Sequence, residues 1–331
     1  MNDDIILGIE TSCDDTAVAL VDAHGHILSS VVASQLDVHA AFGGIYPEFA
    51  ARAHITAILP AVHQAFREAG ITPRDIRAIG VTRGPGLIGS LLVGLNAATG
   101  LGLAWRKPVI GINHLRGHLR SADLEQTRVT YPATVLLVSG GHTLLASMKS
   151  VTEMEMLGGT SDDSVGECYD KVGRMLGLGY PGGPVVDRLA MQGAPSIPFP
   201  RPVINKGLEF SFSGLKSAVA RYMDTHADAP HADIAASFVQ AVMDVLIKKS
   251  SLALKQHPSR SFVIVGGVAA SPQLREEARK LCRKFKVELC LPPLRWSTDN
   301  AAMIALATFD YLNLSIIKKP AAELQLAMDS F

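Results

Sequence analysis

The chain has 331 residues, 48% apolar and 19% charged: long enough to bury two substantial cores and too apolar for a disordered binder. Lysine plus arginine and aspartate plus glutamate number 31 each, so net charge offers no general attraction to nucleic acid. Any RNA affinity must come from a local basic patch or another subunit. The four cysteines, Cys13, Cys168, Cys282 and Cys290, form no C-x-x-C pair and read as reduced cytoplasmic thiols, which excludes a disulfide framework.

In chain order, the start, Met1-Asn2-Asp3-Asp4, lacks the basic region of a signal peptide. Residues 5–9 form a short apolar strand entering the polar turn Glu10-Thr11-Ser12-Cys13-Asp14-Asp15, and 16–21 read as a returning strand. Residues 50–69 carry apolar side chains at helical spacing and stop at Gly70, with Pro73 beyond. A strand over 76–81 leads to Arg83-Gly84-Pro85-Gly86. Residues 87–104 hold no charge, but their glycines with Ser90, Asn96 and Thr99 fit a buried helix better than a transmembrane span. A strand over 109–112 runs into Asn113-His114-Leu115-Arg116-Gly117-His118.

Residues 133–138, the turn Ser139-Gly140-Gly141-His142 and residues 143–147 repeat the opening strand–turn–strand pattern, which points to an internal duplication. Beyond it, 170–176 look helical, 177–184 are a loop rich in glycine and proline, and 194–213 are irregular. A long amphipathic helix spans 232–253, and a strand over 261–265 enters Gly266-Gly267. Ser271-Pro272 opens a helix to about Arg283, and Thr298-Asp299-Asn300 caps a last helix over 301–311. No linker or low-complexity segment divides the chain.

Three glycine-bearing turns, at Ser139-Gly140-Gly141, Gly182-Gly183 and Gly266-Gly267, are read as following strands and favour nucleotide binding, because glycine lets backbone N–H groups approach a phosphate. Neither a G-x-x-x-x-G-K-[ST] loop nor a G-x-G-x-x-G fingerprint occurs. His114 and His118, four residues apart, share one face of a helix and can grip one metal ion. Asp299 is the candidate third ligand; as a plain helix cap it has a simpler role. Asp14 and Asp15 offer adjacent carboxylates for orienting water or accepting a proton, with turn formation as the simpler role.

Taken together, Ile9-Glu10-Thr11-Ser12-Cys13-Asp14, Gly84-Pro85-Gly86, His114-x-x-x-His118, Leu137-Val138-Ser139-Gly140-Gly141-His142, Tyr180-Pro181-Gly182-Gly183-Pro184, Phe210-Ser211-Phe212-Ser213-Gly214-Leu215-Lys216 and Thr298-Asp299-Asn300 resemble, in order, the tRNA N6-adenosine threonylcarbamoyltransferase family of bacterial and organellar type. The resemblance runs over about residues 5–311. It implies an α/β fold of two duplicated ribonuclease H-like lobes, as in actin, sugar kinases and Hsp70-type ATPases, around a central nucleotide cleft. The lobes are expected over 1–130 and 131–331, with the last helix able to pack back toward the first.

The resemblance further implies transfer of threonylcarbamoyl from threonylcarbamoyl-adenylate to N6 of adenosine 37, in tRNAs reading codons that start with A, with release of AMP. By position, His114, His118 and Asp299 would hold one iron or zinc ion. Leu137, Val138, Ser139, Gly140, Gly141, Asp170, Gly183, Asp187 and Ser271 would line the adenylate site, and Asp14 and Asp15 would deprotonate or orient the attacking amine. Implied partners are tRNA, a paralogue of the same fold and a small P-loop ATPase, without a membrane and with self-association open; the setting is cytoplasmic.

Two positions depart from the family pattern: Ser271 stands where asparagine is usual, and Asp15 where glutamate is. Arg201, Lys206, Lys216 and Arg221 flank the Ser-Phe-Ser-Gly segment as a candidate RNA-facing set, against an ordinary solvated surface. Competing readings are a small-molecule kinase or ATPase of the same fold, a metalloprotease and a non-catalytic nucleotide-binding scaffold. Leu115 occupies the base position of a zincin motif, which argues against the protease.

Overall fold

The computed structural model describes residues 4–40, 44–125, 128–316, 320–323 and 326. The chain separates into two compact units, Met1–Arg128 with Pro292–Phe331, and Val129–Leu291. The second lobe was expected over 131–331 with its last helix able to pack back toward the first; contacts group Pro292–Phe331 with the first unit, whose sheet the last helix covers.

In the first unit, β1 (Ile5–Glu10), β2 (Thr16–Asp22) and β3 (Ile27–Ala33) form an antiparallel meander. After α1 (Leu36–Ala40) and α2 (Pro47–Ala69), β4 (Ile76–Gly84) pairs parallel with β1. Then α3 (Ile88–Trp105) leads to β5 (Val109–Asn113), parallel to β4, and to α4 (His114–Ser121). The sheet order is β3-β2-β1-β4-β5. Strand periodicity divides the core: Leu7, Ile9, Val18 and Leu20 join a cluster with Ile58, Val62, Leu91 and Leu95 of α2 and α3, while Ile6, Ala17 and Ala19 face the other way.

The second unit repeats this plan. It begins with β6 (Ala133–Val138), β7 (Thr143–Met148) and β8 (Met154–Gly159), a second antiparallel meander. The helices α5 (Val165–Met175), α6 (Gly182–Ala190), α7 (Ser213–Thr225) and α8 (His231–Gln256) follow. β9 (Ser261–Val265) pairs parallel with β6, α9 (Pro272–Phe285) crosses back, and β10 (Glu288–Cys290) pairs parallel with β9. The order β8-β7-β6-β9-β10 matches that of the first unit strand for strand, so the duplication extends to whole sheets. The irregular segment before α7 is held from beneath by Lys249, a fully buried residue whose Nζ donates to the carbonyls of Val203, Lys206 and Gly207 at 2.7–2.9 Å.

The chain then re-enters the first unit with α10 (Ala301–Asn313), whose Ala301, Ile304, Ala305 and Tyr311 pack on the sheet face that Ile6 and Ala17 present. Two expectations need correction. The helix expected to be buried, α3, buries one face, Ser90, Leu91, Gly94, Leu95, Ala98 and Gly102; Leu92 is 45% and Leu103 78% exposed on the other. By length and hydropathy alone α3 could cross a membrane; here its buried face packs against the sheet. Gly182-Gly183 follows no strand but opens α6 directly after α5. The four cysteines are free thiols.

Candidate functional site

In the first unit, β1, β4 and β5 run parallel, and their carboxyl ends bring Glu10, Gly84 and Asn113 to one edge. That edge is where open α/β sheets bind ligands. Asn113 caps α4 by accepting from Leu115 N at 2.9 Å, so the helix starts with His114 and repeats with His118 one turn later. The rings lie edge to face with centroids 4.6 Å apart. Asn300 caps α10, accepting from Met303 N at 2.9 Å. The cap role considered for Asp299 therefore belongs to its neighbour, and the Asp299 carboxylate reaches the histidines instead: its Oδ1 is 3.5 Å from His114 Nε2 and 3.1 Å from His118 Nε2. Ligand atoms of all three residues lie within 4.8 Å of one another, a group able to hold a metal ion.

The donors suit a transition metal. His118 is fully buried, and its ring meets only the Asp299 carboxylate, 3.1 Å from Nε2, while Nδ1 has no hydrogen-bond partner among the described residues, a costly arrangement without a ligand. Two imidazoles and one carboxylate form an N₂O set typical of zinc or ferrous iron.

Behind His114 stands Glu10, a residue the sequence motif contained without a role. Its Oε2 lies 2.8 Å from His114 Nδ1 and accepts from the Thr82 hydroxyl at 2.6 Å, while its Oε1 accepts from Ser12 N at 2.5 Å. Burial raises the Glu10 pKa, but the charge and hydrogen bond of His114 outweigh it and hold the carboxyl below its ordinary value. Burial likewise opposes the His114 imidazolium, yet the carboxylates of Glu10 and Asp299 lift it to about 9 in the metal-free chain. The available signal was a carboxylate on the last residue of a buried strand.

The other two carboxylates of this turn have contacts of their own. Asp15 Oδ1 accepts from Gln35 N at 3.4 Å and, mainly through burial, has a raised pKa. Asp14 faces the Cys13 thiol, which burial and that carboxylate together push well up. The charge of Asp299 adds to the raised pKa of Asp15. The turn is pinned by buried His54, whose Nε2 donates to Cys13 O at 3.0 Å and whose Nδ1 lies 2.7 Å from the Thr16 hydroxyl.

In the second unit the corresponding sheet edge carries two glycine turns. Gly266, with φ of 93°, presses against β6, since a Cβ there would lie 2.4 Å from Val138 O. Gly140 and Gly141 have open space where a Cβ would stand. The N-terminus of α5 docks onto this turn through Gly166, whose Cβ would meet Ser139 O at 2.5 Å, and through the Ser164 hydroxyl, which donates to Gly140 O. An open glycine turn beside a helix N-terminus is suited to an anion. Leu137 and Val138 are fully buried strand residues, backbone included, so they lie beneath the turn and expose no atom there.

Asp170 accepts from Gly182 N at 2.8 Å at the start of α6, and burial raises its pKa. Gly183, in the same first turn, is half-buried with open space beside it. Asp187, also raised by burial, accepts from the Tyr169 hydroxyl at 3.1 Å and from Ser271.

The profile of the tRNA N6-adenosine threonylcarbamoyltransferase family matches residues 26–306. The chain belongs to this family. It is 48% identical to the tRNA N6-adenosine threonylcarbamoyltransferase of Trichlorobacter lovleyi, over 93% of this chain and 92% of that one. It is 50% identical to that of Desulforapulum autotrophicum, over 91% and 92%. The fold resembles component A of the (R)-2-hydroxyglutaryl-CoA dehydratase of Acidaminococcus fermentans, with a TM-score of 0.56 at 17% identity over 92% of this chain and 97% of that one. The likeness is one of fold: two α/β units whose five-stranded sheets share one strand order.

Within this threonylcarbamoyltransferase family, the serine at 271 has a local physical consequence. Its hydroxyl caps α9 by accepting from Leu274 N at 3.4 Å and also engages Asp187, so it is turned to the protein. The basic set is partly neutralised: Arg201 pairs with Asp244 at 2.7 Å and Lys216 with Asp163 at 3.0 Å, leaving Lys206 and Arg221 exposed. The Ser-Phe-Ser-Gly motif is ordered by Asp162, which accepts from the Ser211 hydroxyl, Phe212 N and the Ser213 hydroxyl at 2.5–2.8 Å.

Proposed function

We propose that the chain transfers the threonylcarbamoyl group of threonylcarbamoyl-adenylate to N6 of adenosine 37, in tRNAs that read codons starting with A, and releases AMP. The observation that carries this reading is the convergence of His114, His118 and Asp299, with ligand atoms within 4.8 Å of one another, in a member of a tRNA threonylcarbamoyltransferase family. Those three residues would hold one ferrous or zinc ion, which supplies Lewis acidity toward an acyl or phosphate oxygen when bound.

The chain's own residues supply the remainder. Backbone N–H groups at Gly140 and Gly141, with the α5 N-terminus, bind the phosphate of the adenylate, while the Ser139 N–H closes the turn onto His142 O at 2.8 Å. Asp170, Gly183, Asp187 and Ser271 shape the rest of that pocket. In the transfer, the adenine N6 bonds to the carbamoyl carbon, the carbon–oxygen bond to the adenylate phosphate breaks, and AMP departs with the electron pair. Asp14 or Asp15 takes or orients the proton that N6 loses; the raised pKa of Asp15 favours a carboxylate able to accept one. Partners on this reading are tRNA, a paralogue of the same fold and a small P-loop ATPase, in the cytoplasm.

The test combines metal analysis with transfer to unmodified tRNA, using supplied adenylate and the partner proteins. About one ion per chain is expected, lost together with transfer in His114→Ala and His118→Ala. Asp14→Asn and Asp15→Asn should keep the ion, and at least one should lose ~10²-fold or more in rate. Full transfer by both would remove the proton role. Absence of metal together with ATP turnover on a small molecule would favour the kinase reading.

A further inference from the structure

We propose that Glu10 is a positioning residue of the metal centre, fixing the His114 proton on Nδ1 so that the Nε2 lone pair faces the ion. The proposal rests on the reading that His114, His118 and Asp299 hold a metal, and it adds a residue from β1 to that centre. An imidazole that ligates through Nε2 must carry its proton on Nδ1, and the partner of Nδ1 decides whether it does.

Two donors besides His114 hold the Glu10 carboxylate. Ser12 N donates to Oε1 at 2.5 Å, and the Thr82 hydroxyl donates to Oε2 at 2.6 Å. His114 Nδ1, 2.8 Å from Oε2, meets an atom that can only accept from it. The support is rigid. Glu10 closes β1, Thr82 lies on β4, and His114 begins α4 directly after β5, so neighbouring parallel strands set the spacing. Glu10 is 1% exposed, which keeps water from substituting for it.

The donor arithmetic makes glutamine a sharp probe, because it preserves shape but replaces one oxygen with NH₂. With NH₂ at the Oε1 position, it opposes the Ser12 backbone N–H, a donor that cannot reverse. With NH₂ at the Oε2 position, the Thr82 hydroxyl can rotate to accept, but His114 Nδ1 must then accept as well. That moves the imidazole proton to Nε2, where the ion should bind. The first orientation keeps the tautomer but sets two donors against each other, which favours the second, and the second costs metal affinity. The Ser12 hydroxyl, 3.2 Å from Nδ1, is a longer alternative acceptor, so the loss should be partial.

The experiment titrates Co²⁺ into the metal-free full chain, following visible absorption and competition with a chelator, and needs no tRNA. Glu10→Gln is expected to bind Co²⁺ about 10- to 100-fold more weakly while keeping its far-ultraviolet circular dichroism. Its cobalt spectrum should shift toward that of His114→Ala, because the same ligand is lost. Thr82→Val, which leaves the carboxylate but removes one of its anchors, should weaken binding several-fold. An affinity for Glu10→Gln within about twofold of wild type would overturn the proposal; if that variant does not fold, an unchanged Thr82→Val does so instead. Wild-type chain that binds no Co²⁺ would overturn the metal reading itself, and this proposal with it.

Discussion

Asp310 lies on α10 beside Arg120, its Oδ2 3.1 Å from the guanidinium Nε, yet burial raises its carboxyl to about 6 despite that cation. Because the folded chain binds this proton more tightly than the unfolded one, protonation favours folding. Through this residue, stability falls as pH rises from about 4 to 6 and levels off above. Asp310→Asn removes the titration. The wild-type-minus-variant difference in unfolding free energy should therefore decline by roughly 2 kcal/mol across that window, as read by urea denaturation. A flat difference would show that Asp310 does not titrate there.

The same scale separates what single residues reveal in sequence from what they conceal. His114 and His118 were legible because helical spacing alone puts them on one face. Glu10 was not, since its role depends on Thr82 and His114, which neighbouring strands deliver. Asp299 carried two readings until the cap was seen to belong to Asn300.

At the scale of elements, α10 and β1 approach at backbone contact. A Cβ on Gly8 would lie 2.2 Å from Ala301 O and 2.8 Å from Ala305 N, and neither backbone atom can rotate away. Gly8→Ala should therefore destabilise the chain by about 1–3 kcal/mol. Since Asp299 lies two residues before Ala301, the same shift should weaken Co²⁺ binding; unchanged stability and affinity would mean that α10 relaxes freely. The central strands were readable from their apolar runs, but β3, β8 and β10 were not, because as edge or short strands they mix buried and exposed positions without clean alternation. α3 misled for the converse reason: a helix apolar all round reads as buried, and composition does not tell how many neighbours will cover it.

At the scale of the molecule, the duplicated sheets differ in how the chain completes them. The second unit is continuous, and its core, from Leu136 to Cys282, lies wholly within Val129–Leu291. The first is not. Trp296 and the α10 residues from Ala301 to Tyr311 supply one of its two clusters, against Ile6, Ala17 and Ile112. The short hairpin repeat announced the duplication in sequence, but nothing local signalled that the last helix completes the first sheet; that closure depends on contacts between residues some 300 positions apart.

A chain cut at these limits tests the difference. Residues 129–291 alone should unfold cooperatively in urea and protect the amides of β6 and β9 from exchange. Residues 1–128 alone should lack a cooperative transition, because one face of their sheet is bare, and should gain one when 292–331 are restored. Metal should follow the same rule, since His114 and His118 come from the first stretch and Asp299 from the return. A cooperative fold for 1–128 alone would show that α10 is an addition to the first unit and not part of its core.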